Sequence, residues 1–376
     1  MSQCDGTMSD VKGYGANPFA LWYCGLRDRL EGRSHRARAR WGYLKAPEGP
    51  GKLIWLRAGA TVRSVRLAVE VAAALREKRR DVRLIVTFHV EYPEILASRL
   101  GELAKTGFGY GPADAPKAVH RALDRLNPLG VISVDAAPGK HFQRALIERK
   151  IHSVQLQGVC TSDVALEAYY PSLLEANEPQ HASYVAPAVD LLTLIIPSQV
   201  DPVFGSLLKG NACTDMWWVH APANGKAWLQ AWQSSPLYAN SVLCVSEVSS
   251  EFEAQARSLG VMPIRASEWT RDAVPPGSVW IVDEARWLPA LAASVSGVCL
   301  MAPEDRETYW QVLAGGAPLL PEFACEPNAA LAAWIALQAD PPQARKSRDL
   351  ARRLFWEERR KATSVLEEFL QRVYDW

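Results

Sequence analysis

Apolar runs alternate with amphipathic segments along two stretches of the chain. In the first stretch, strands are predicted at Leu53–Leu56, Val82–Phe88, Gly130–Val134 and Ile151–Leu156. Helices are predicted between and after them, at Val65–Arg76, Pro93–Leu103, Pro116–Leu126 and Phe142–Arg149. Strands that alternate with helices of about ten residues are typical of βαβ units, so this stretch predicts a parallel sheet.

The second stretch repeats this pattern after a break. Its strands are predicted at Met216–His220, Ser241–Val245, Val279–Val282, Gly297–Met301 and Pro318–Leu320. Its helices are predicted at Gly225–Trp232, Ser250–Leu259, Trp287–Ala293 and Tyr309–Ala314, with a last helix at Ala344–Tyr374. Residues 160–210 interrupt the alternation and predict a helical connection with a domain boundary.

These patterns predict an α/β chain with two doubly wound, Rossmann-like domains. We place them at residues 51–200 and 201–345, preceded by an N-terminal arm at 1–50 and followed by a helix at 346–376. In such folds ligands bind at the carboxyl ends of the strands, so we expect a ligand in the cleft between the two domains.

Composition narrows the function classes. With 376 residues, 48% of them hydrophobic, the chain can bury two sizeable cores. A net charge of +1 and 22% charged residues exclude a disordered chain and argue against nucleic-acid binding. The seven cysteines are scattered without a C-x-x-C pair, and the seven histidines show no H-x-x-x-H pair. We therefore expect reduced thiols, a cytoplasmic location, no metal site and no cofactor.

The N-terminal arm has an unusual composition. It lacks the apolar region of a signal peptide, and no run in the chain is long and apolar enough to predict a transmembrane helix. Apolar and aromatic residues precede a block of arginines; they are Phe19, Leu21, Trp22, Tyr23 and Leu26, followed by Arg27, Arg29, Arg33, Arg36, Arg38 and Arg40. Such a segment suits a helix on an anionic membrane, at its inner face. A solvated basic arm, or a helix packed on its own domain, explains the same residues.

The turn after the first predicted strand carries the strongest candidate chemistry. It runs from Arg57 through Gly59 to Ser64 and joins the strand to a helix. A strand, a turn of small residues and a helix present backbone N–H groups at a helix N-terminus, where an anion can bind. Arg57 and Arg63 would add positive charge to this turn.

Short motifs in collinear order connect the chain to a known family. They are Arg40-Trp41-Gly42, Leu56–Arg76, Ala113–Pro116 with Ala118–Leu123, Glu148–Ile151, Trp217–Gly225, Gly260, Val282-Asp283 and Gly316–Leu320. In this order the sequence resembles the Kdo transferases, which move 3-deoxy-D-manno-octulosonic acid from CMP-Kdo onto lipid A precursors. The resemblance runs over most of the chain. It implies a GT-B fold with an acceptor side in the first domain and a donor side in the second.

On the acceptor side, the chain differs from the family at the position of the general base. The resemblance puts Val62, Arg63 and Ser64 where the family has Val-Gly-Glu, whose Glu takes the proton from the acceptor hydroxyl. Neither Arg nor Ser alone can accept that proton at neutral pH. Of the family's later Glu-Thr-Glu, only the first acid is kept, as Asp135.

On the donor side, the chain differs from the family in its charged residues. Glu247 and Glu251 stand where the family has two arginines, and Gln311 stands where it has the Glu that holds the ribose. Because each charge-assisted hydrogen bond lost from a buried site costs about 1.5–3 kcal/mol, these replacements argue against ordinary Kdo transfer.

Two hypotheses stay open at this point. The first is a divergent glycosyltransferase that uses an activated donor such as a nucleotide sugar. The second is a catalytically inactive GT-B scaffold or assembly subunit that binds protein partners. For the first, the candidate catalytic residues are Asp135 and His141; the candidate substrate contacts are Arg57, Gly59, Thr61, Arg63, Ser64 and His89; the candidate donor contacts are His220, Asn224, Gly225, Arg306 and Gln311.

Overall fold

The chain folds into two compact units. The first contains Met1–Leu192 and Thr363–Trp376, and the second contains Thr193–Ala362. The structure, a computed structural model, describes residues 18–97, 103–158, 166–173, 182–194, 199–200, 215–220, 225–236, 238–246, 250–259, 264–265, 273–274, 279–281, 298–301, 319–320 and 339–376, together with 328, 332 and 335.

The first unit is built on a parallel six-stranded sheet. Its strands are β1 (Leu53–Ala58), β2 (Arg83–Phe88), β3 (Thr106–Tyr110), β4 (Pro128–Val134), β5 (His152–Leu156) and β6 (Ala168–Tyr170). Its helices are α1 (Pro18–Leu30), α2 (Ser34–Arg40), α3 (Val62–Lys78), α4 (Pro93–Ala97), α5 (Pro116–Leu126) and α6 (Lys140–Glu148), with a 3₁₀ turn at Leu191–Leu194. The strand order is β3-β2-β1-β4-β5-β6. This is a doubly wound order, and its direction reverses between β1 and β4, where such sheets bind ligands.

Burial explains why β1 and α3 form where the sequence predicts them. Leu53–Leu56 is fully buried, as expected for a central strand covered on both faces. The predicted inner face of α3 is buried as well; it consists of Val65, Val69, Ala72 and Leu75. Fully burying one such Val or Leu side chain contributes about 1.5–3 kcal/mol, so this face fixes the helix on the sheet.

Two strands of the sheet were not predicted. The glycines Gly107 and Gly109 weaken the strand signal of β3, because glycine has no side chain to pack on a pleated surface. β6 lies inside the stretch predicted as a helical connection, so that prediction is wrong at Ala168–Tyr170. The strand is short, and its Tyr169 and Tyr170 are buried in the core rather than on a helix face.

The N-terminal arm contains the two helices α1 and α2, followed by residues 41–50 without regular secondary structure. Leu21 and Cys24 on α1 are buried in a cluster with Ala113, Ala115 and Ala118, so one face of this helix packs on its own unit. Cys24 is buried and is not part of a disulfide. Among the described helices, none combines the length and apolar character needed to cross a membrane.

The second unit repeats the parallel arrangement. Its strands are β7 (Gln199–Val200), β8 (Asp215–His220), β9 (Ser241–Ser246), β10 (Ile264–Arg265), β11 (Ala273–Val274), β12 (Val279–Ile281), β13 (Val298–Met301) and β14 (Leu319–Leu320). Its helices are α7 (Gly225–Gln233), α8 (Ser250–Ser258) and most of α9 (Pro341–Tyr374), with a 3₁₀ turn at Tyr238–Asn240. The strands form sheets ordered β10-β9-β8, β12-β13-β14 and β11-β7. The helices predicted at Trp287–Ala293 and Tyr309–Ala314 lie outside the described residues.

The end of α9 belongs to the first unit. There the Phe369 ring packs edge-on against Tyr170, with ring centroids 5.5 Å apart. Arg372 donates from Nε to the Tyr170 hydroxyl at 3.2 Å. The closing helix therefore stabilises the last strand of the first sheet.

Candidate functional site

The carboxyl edge of the first sheet gathers most of the predicted acceptor-side residues. Arg57 is near the end of β1, His89 follows β2 and Asp135 follows β4. Since β1 and β4 are neighbours at the point where the strand order reverses, these side chains share one edge of the sheet.

The turn from β1 to α3 is closed by its own side chains. Thr61 is the N-cap of α3, and its hydroxyl accepts a hydrogen bond from the Ser64 backbone N–H at 3.1 Å. Ser64 is buried; its hydroxyl donates to the Val134 carbonyl at 2.7 Å and accepts from the Gly59 N–H. The Ser64 hydroxyl therefore ties α3 to β1 and β4. A Cβ on Gly59 would lie 3.0 Å from the Ala136 Cβ, so a larger residue would crowd the turn.

Arg63 lies in a cluster of acceptors. Its Nη2 donates to Gln157 Oε1 at 3.0 Å and to Ser172 Oγ at 3.3 Å. The carboxylates of Asp135 and Asp190 each lie 3.9 Å from its guanidinium nitrogens. These side chains are largely buried, so Arg63 holds together the ends of β4, β5 and β6 and the segment that follows β6. We call Arg63, Asp135, Gln157, Ser172 and Asp190 the Arg63 cluster.

Asp135 has an unusual backbone and an unusual charge environment. Its φ is 52°, in the left-handed region, and its N–H donates to the Leu156 carbonyl at 2.8 Å. Burial raises the pKa of its carboxyl, and Asp190 raises it further, while Arg63 and a hydrogen bond from Thr61 act in the opposite direction. A carboxylate whose pKa is raised by burial at a strand end is typical of functional sites.

Arg57 is held differently from Arg63. Its guanidinium carbon lies 3.9 Å from the centre of the Phe142 ring. Burial lowers the pKa of Arg57 to about 10, and the charge of Asp114 acts in the opposite direction. Within the described residues, the Arg57 side chain makes no hydrogen bond or ion pair.

His89 is neutral at physiological pH. Burial and the charges of Arg40, Arg57 and Arg36 hold its pKa well below the usual value. Arg40 is fully buried, and its Nη1 lies 2.9 Å from His89 Nδ1 while its Nη2 donates to the His89 carbonyl at 2.7 Å. Since a guanidinium can only donate, Nδ1 accepts and the ring proton is on Nε2.

His141 lies at the start of α6, beside Phe142. Its backbone N–H donates to Asp114 Oδ2 at 3.3 Å, and the Phe142 N–H donates to Asp114 Oδ1 at 2.9 Å. Asp114 thus caps α6 from a distant loop. A Cβ on Gly139 would collide with the Asp114 carboxylate, so the cap depends on glycine there.

The predicted donor-side residues lie in the second unit. His220 ends β8, and Gly225 begins α7. Asn224, Arg306 and Gln311 lie outside the described residues. Across the described part of the chain, no group of three or more metal-binding side chains is present.

Sequence reasoning missed several members of the site. Gln157, Ser172 and Asp190 join the Arg63 cluster, and Arg40 orients His89. Gln157 follows the predicted strand β5, and a polar residue after a buried strand is a usable signal. Ser172 follows β6, which was not predicted, so this signal was missing there. Asp190 had no such signal, because it follows no predicted strand.

Comparison with known proteins connects this geometry to a family. Residues 35–163 match the model of the 3-deoxy-D-manno-octulosonic-acid transferase family, the Kdo transferases. The matched stretch contains Arg40, Arg57, Asp135 and Gln157. This stretch is therefore similar to the N-terminal part of the Kdo transferases. Among curated protein sequences, none matches the chain.

Solved structures with the same fold cover most of the chain. A glycosyltransferase from Rickettsia africae is similar with a TM-score of 0.57 at 11% identity, over 85% of this chain and 99% of the other. A putative UDP-N-acetylglucosamine 2-epimerase from Listeria monocytogenes gives 0.57 at 10%, over 87% and 98%. HepE from Anabaena in complex with UDP-glucose gives 0.55 at 11%, over 86% and 99%. The chain therefore has the predicted α/β fold of the GT-B type.

Proposed function

We propose that the chain is a glycosyltransferase in which Asp135 accepts the proton of the acceptor hydroxyl. In this step the acceptor oxygen bonds to the anomeric carbon of the donor, and its proton passes to the Asp135 carboxylate. The bond between that carbon and the donor phosphate breaks, and the electron pair leaves on the phosphate. The observation that carries the proposal is the Asp135 carboxylate, which is largely buried at the point where the strand order reverses and has a raised pKa.

Asp135 offers a carboxylate near the place where the family has its base. The resemblance puts that base on the first turn of α3, at Ser64, whose hydroxyl is engaged by Val134 and Gly59. The Thr61 hydroxyl, at the same helix start, lies 3.3 Å from Asp135 Oδ2. A carboxylate from the end of β4 is thus within hydrogen-bond reach of the start of α3.

For the donor we propose a nucleotide sugar. The structural relative HepE is in complex with UDP-glucose, which supports this class. The predicted contacts are His220 and Gly225, with Asn224, Arg306 and Gln311. Because Glu247 and Glu251 replace two arginines of the family, CMP-Kdo is expected to bind weakly.

A non-catalytic GT-B subunit is the second candidate. The engagement of Ser64 in structural hydrogen bonds favours it, since a lost base leaves a fold that can still bind partners. The two candidates differ in ligand binding, because an enzyme is stabilised by its donor nucleotide and a scaffold is not.

We also propose that α1 attaches the protein to the inner face of the membrane. Its outer face is apolar at helical spacing, with Phe19 73% and Leu30 81% exposed and with Trp22, Tyr23 and Leu26 between them. Arg29 and Arg38 are exposed nearby and complement anionic headgroups.

Flotation with vesicles tests this attachment. Binding should require phosphatidylglycerol rather than phosphatidylcholine alone, and Phe19→Ser with Leu30→Ser should abolish it. Val185→Ser changes an exposed apolar residue elsewhere and should leave flotation intact. Equal flotation of the α1 variant would contradict the proposal.

The catalytic proposal is tested in two steps. A thermal-shift screen with CMP, UDP, GDP and their sugars identifies the donor, and product formation is then followed by mass spectrometry. Asp135→Asn should lower kcat about 10²- to 10⁴-fold. It should not lower stability at pH 7, because burial disfavours the Asp135 charge.

Asp190→Asn is the matched control, since Asp190 lies equally close to Arg63. It should keep most of the turnover. Wild-type kcat in Asp135→Asn would refute the role of Asp135. The absence of a thermal shift with every nucleotide and nucleotide sugar would favour the non-catalytic subunit.

A further inference from the structure

Arg57 and Arg63, the two arginines on either side of Gly59, differ in the hydrogen-bond acceptors that surround their guanidinium groups. Arg63 has protein acceptors on its guanidinium, whereas Arg57 rests on the Phe142 ring and has no acceptor within the described residues. A guanidinium carries five N–H donors, so Arg57 can offer an anion N–H groups that no described residue engages. The contact with the Phe142 ring restricts the Arg57 side chain, which lowers the entropy lost when an anion binds.

His89 adds a second donor beside Arg57. In the sheet Arg57 pairs with Thr87, and the His89 N–H continues the pairing by donating to the Gly59 carbonyl at 3.3 Å. Trp55, two residues before Arg57, donates its indole N–H to the Thr87 hydroxyl at 2.9 Å, which puts these positions on one face. Because side chains alternate along a strand, Arg57 and His89 lie on the same face of neighbouring strand ends.

Arg40 determines what the His89 ring can offer a ligand. The Arg40 guanidinium donates a hydrogen bond to His89 Nδ1, so the Nε2–H is the donor of the His89 ring that remains for a ligand. The charges close to His89 are those of Arg36, Arg40 and Arg57, all positive. Asp114 is the carboxylate whose charge acts on Arg57, and it is engaged in capping α6. Donors and positive charge thus exceed acceptors at this strand edge.

We propose that Arg57 and His89 form a phosphate-binding subsite at the carboxyl ends of β1 and β2. The guanidinium fork supplies two parallel N–H donors and the imidazole Nε2 supplies a third, which matches three oxygens of a phosphate group. The phosphate belongs either to a sugar or to a nucleotide. The role in catalysis rests on the proposed glycosyl transfer, but the binding does not.

The test is calorimetric titration of the full chain at constant ionic strength with inorganic phosphate, glucose 6-phosphate, CMP and acetate. Wild type should bind phosphate with millimolar affinity or better and acetate more weakly. Arg57→Gln should weaken phosphate binding about 10- to 100-fold, and Arg57→Lys less, since a lysine keeps the charge without the fork.

Two His89 variants separate the ring nitrogens. The Asn amide oxygen can replace Nδ1 as the acceptor for Arg40, so His89→Asn removes only the Nε2 donor and should weaken phosphate binding about tenfold. The Gln amide can reach the Nε2 position, so His89→Gln should keep more of the affinity. Arg144→Gln removes an exposed arginine of α6 and is the control for general charge loss.

Tighter binding of glucose 6-phosphate than CMP would identify a sugar phosphate as the source, and the reverse would identify the nucleotide. Either order of the two affinities supports the subsite, provided that phosphate binding depends on Arg57. The proposal fails if wild type binds no phosphate, or if Arg57→Gln and His89→Asn bind it as wild type does. Phosphate binding that depends on Arg57 without sugar transfer would leave the subsite standing and refute the proposed function.

Discussion

Arg63 and Arg57 lie on either side of one glycine turn, yet the fold uses them in opposite ways. Arg63 is surrounded by Gln157, Ser172 and two carboxylates that reach it from distant parts of the chain. Arg57 has an aromatic ring beneath it and no protein acceptor among the described residues. This comparison shows that the sequence position of a charged residue near a strand end does not reveal its role. The side chains that contact it decide whether it stabilises the fold or binds a ligand. An arginine whose donors are engaged by the protein holds the fold together, and one without an acceptor in the described part of the chain can bind a ligand.

The largest difference should appear in stability when each arginine is replaced by methionine. Arg63→Met removes a cation that lies 3.9 Å from the buried carboxylate of Asp190 and a donor to Gln157 and Ser172, so it should lower the free energy of unfolding by about 3 kcal/mol. Arg57→Met removes a desolvated cation and a ring contact, whose effects oppose each other, and should change it by less than about 1 kcal/mol. Urea denaturation of the full chain measures both.

Equal destabilisation by the two variants would contradict this comparison. Arg144→Met is the control, because Arg144 is exposed and, among the residues that the structure describes, pairs with Glu148 on the same helix. Such pairs contribute about 0.3–0.5 kcal/mol.

The second effect concerns the backbone that carries Asp135. Gly158 has φ +80°, and a Cβ there would lie 2.7 Å from the Asp135 carbonyl carbon. Gly158→Ala should therefore cost about 2 kcal/mol and move Asp135, lowering sugar transfer as well as stability.

Gly109→Ala is the control, because a Cβ on this glycine of β3 meets nothing within 4 Å. Its unfolding midpoint should stay at the wild-type value. If Gly158→Ala has the same unfolding midpoint and the same rate of sugar transfer as Gly109→Ala, the close packing around Asp135 contributes to neither stability nor activity.

The sequence was sufficient for the parts of the fold that depend on local patterns. β1 and α3 follow from an apolar run, a small-residue turn and an amphipathic helix, and the structure confirms them. β3 and β6 were not found, because Gly107 and Gly109 in one and the shortness of the other remove the local signal. Their place in the sheet comes from pairing with β2 and β5.

The site was only partly predictable for the same reason. Arg57, Asp135 and His89 could be selected because each lies at or just after a predicted strand. The distinction between Arg57 and Arg63 could not, since the acceptors of Arg63 lie about 70 to 130 residues further along the chain. Long-range contacts decide which of two similar side chains is free to bind.

The third effect is on phosphate binding. Asp114 places a negative charge near Arg57, so Asp114→Asn should strengthen phosphate binding about two- to threefold while its amide oxygen keeps one of the two capping hydrogen bonds of α6. Asp114→Ala should give the same gain but lose about 1 kcal/mol of stability with the cap. Calorimetry and thermal unfolding separate the two results. Weaker phosphate binding in Asp114→Asn would mean that Asp114 orients Arg57 more than it opposes the ligand.

The smallest effect is a shift in the pH dependence of sugar transfer. Asp135 accepts a proton only when ionised, so kcat/KM should fall as the pH drops through the pKa of Asp135. The charge of Asp190 raises that pKa, and Asp190→Asn removes it. The acid limb of the profile should therefore move to lower pH in Asp190→Asn. Asp124→Asn, which changes an exposed partner of Arg149, should leave it in place. An acid limb that stays fixed in Asp190→Asn would mean that the titrating base is not Asp135, and the Arg63 cluster would then be structural in every member.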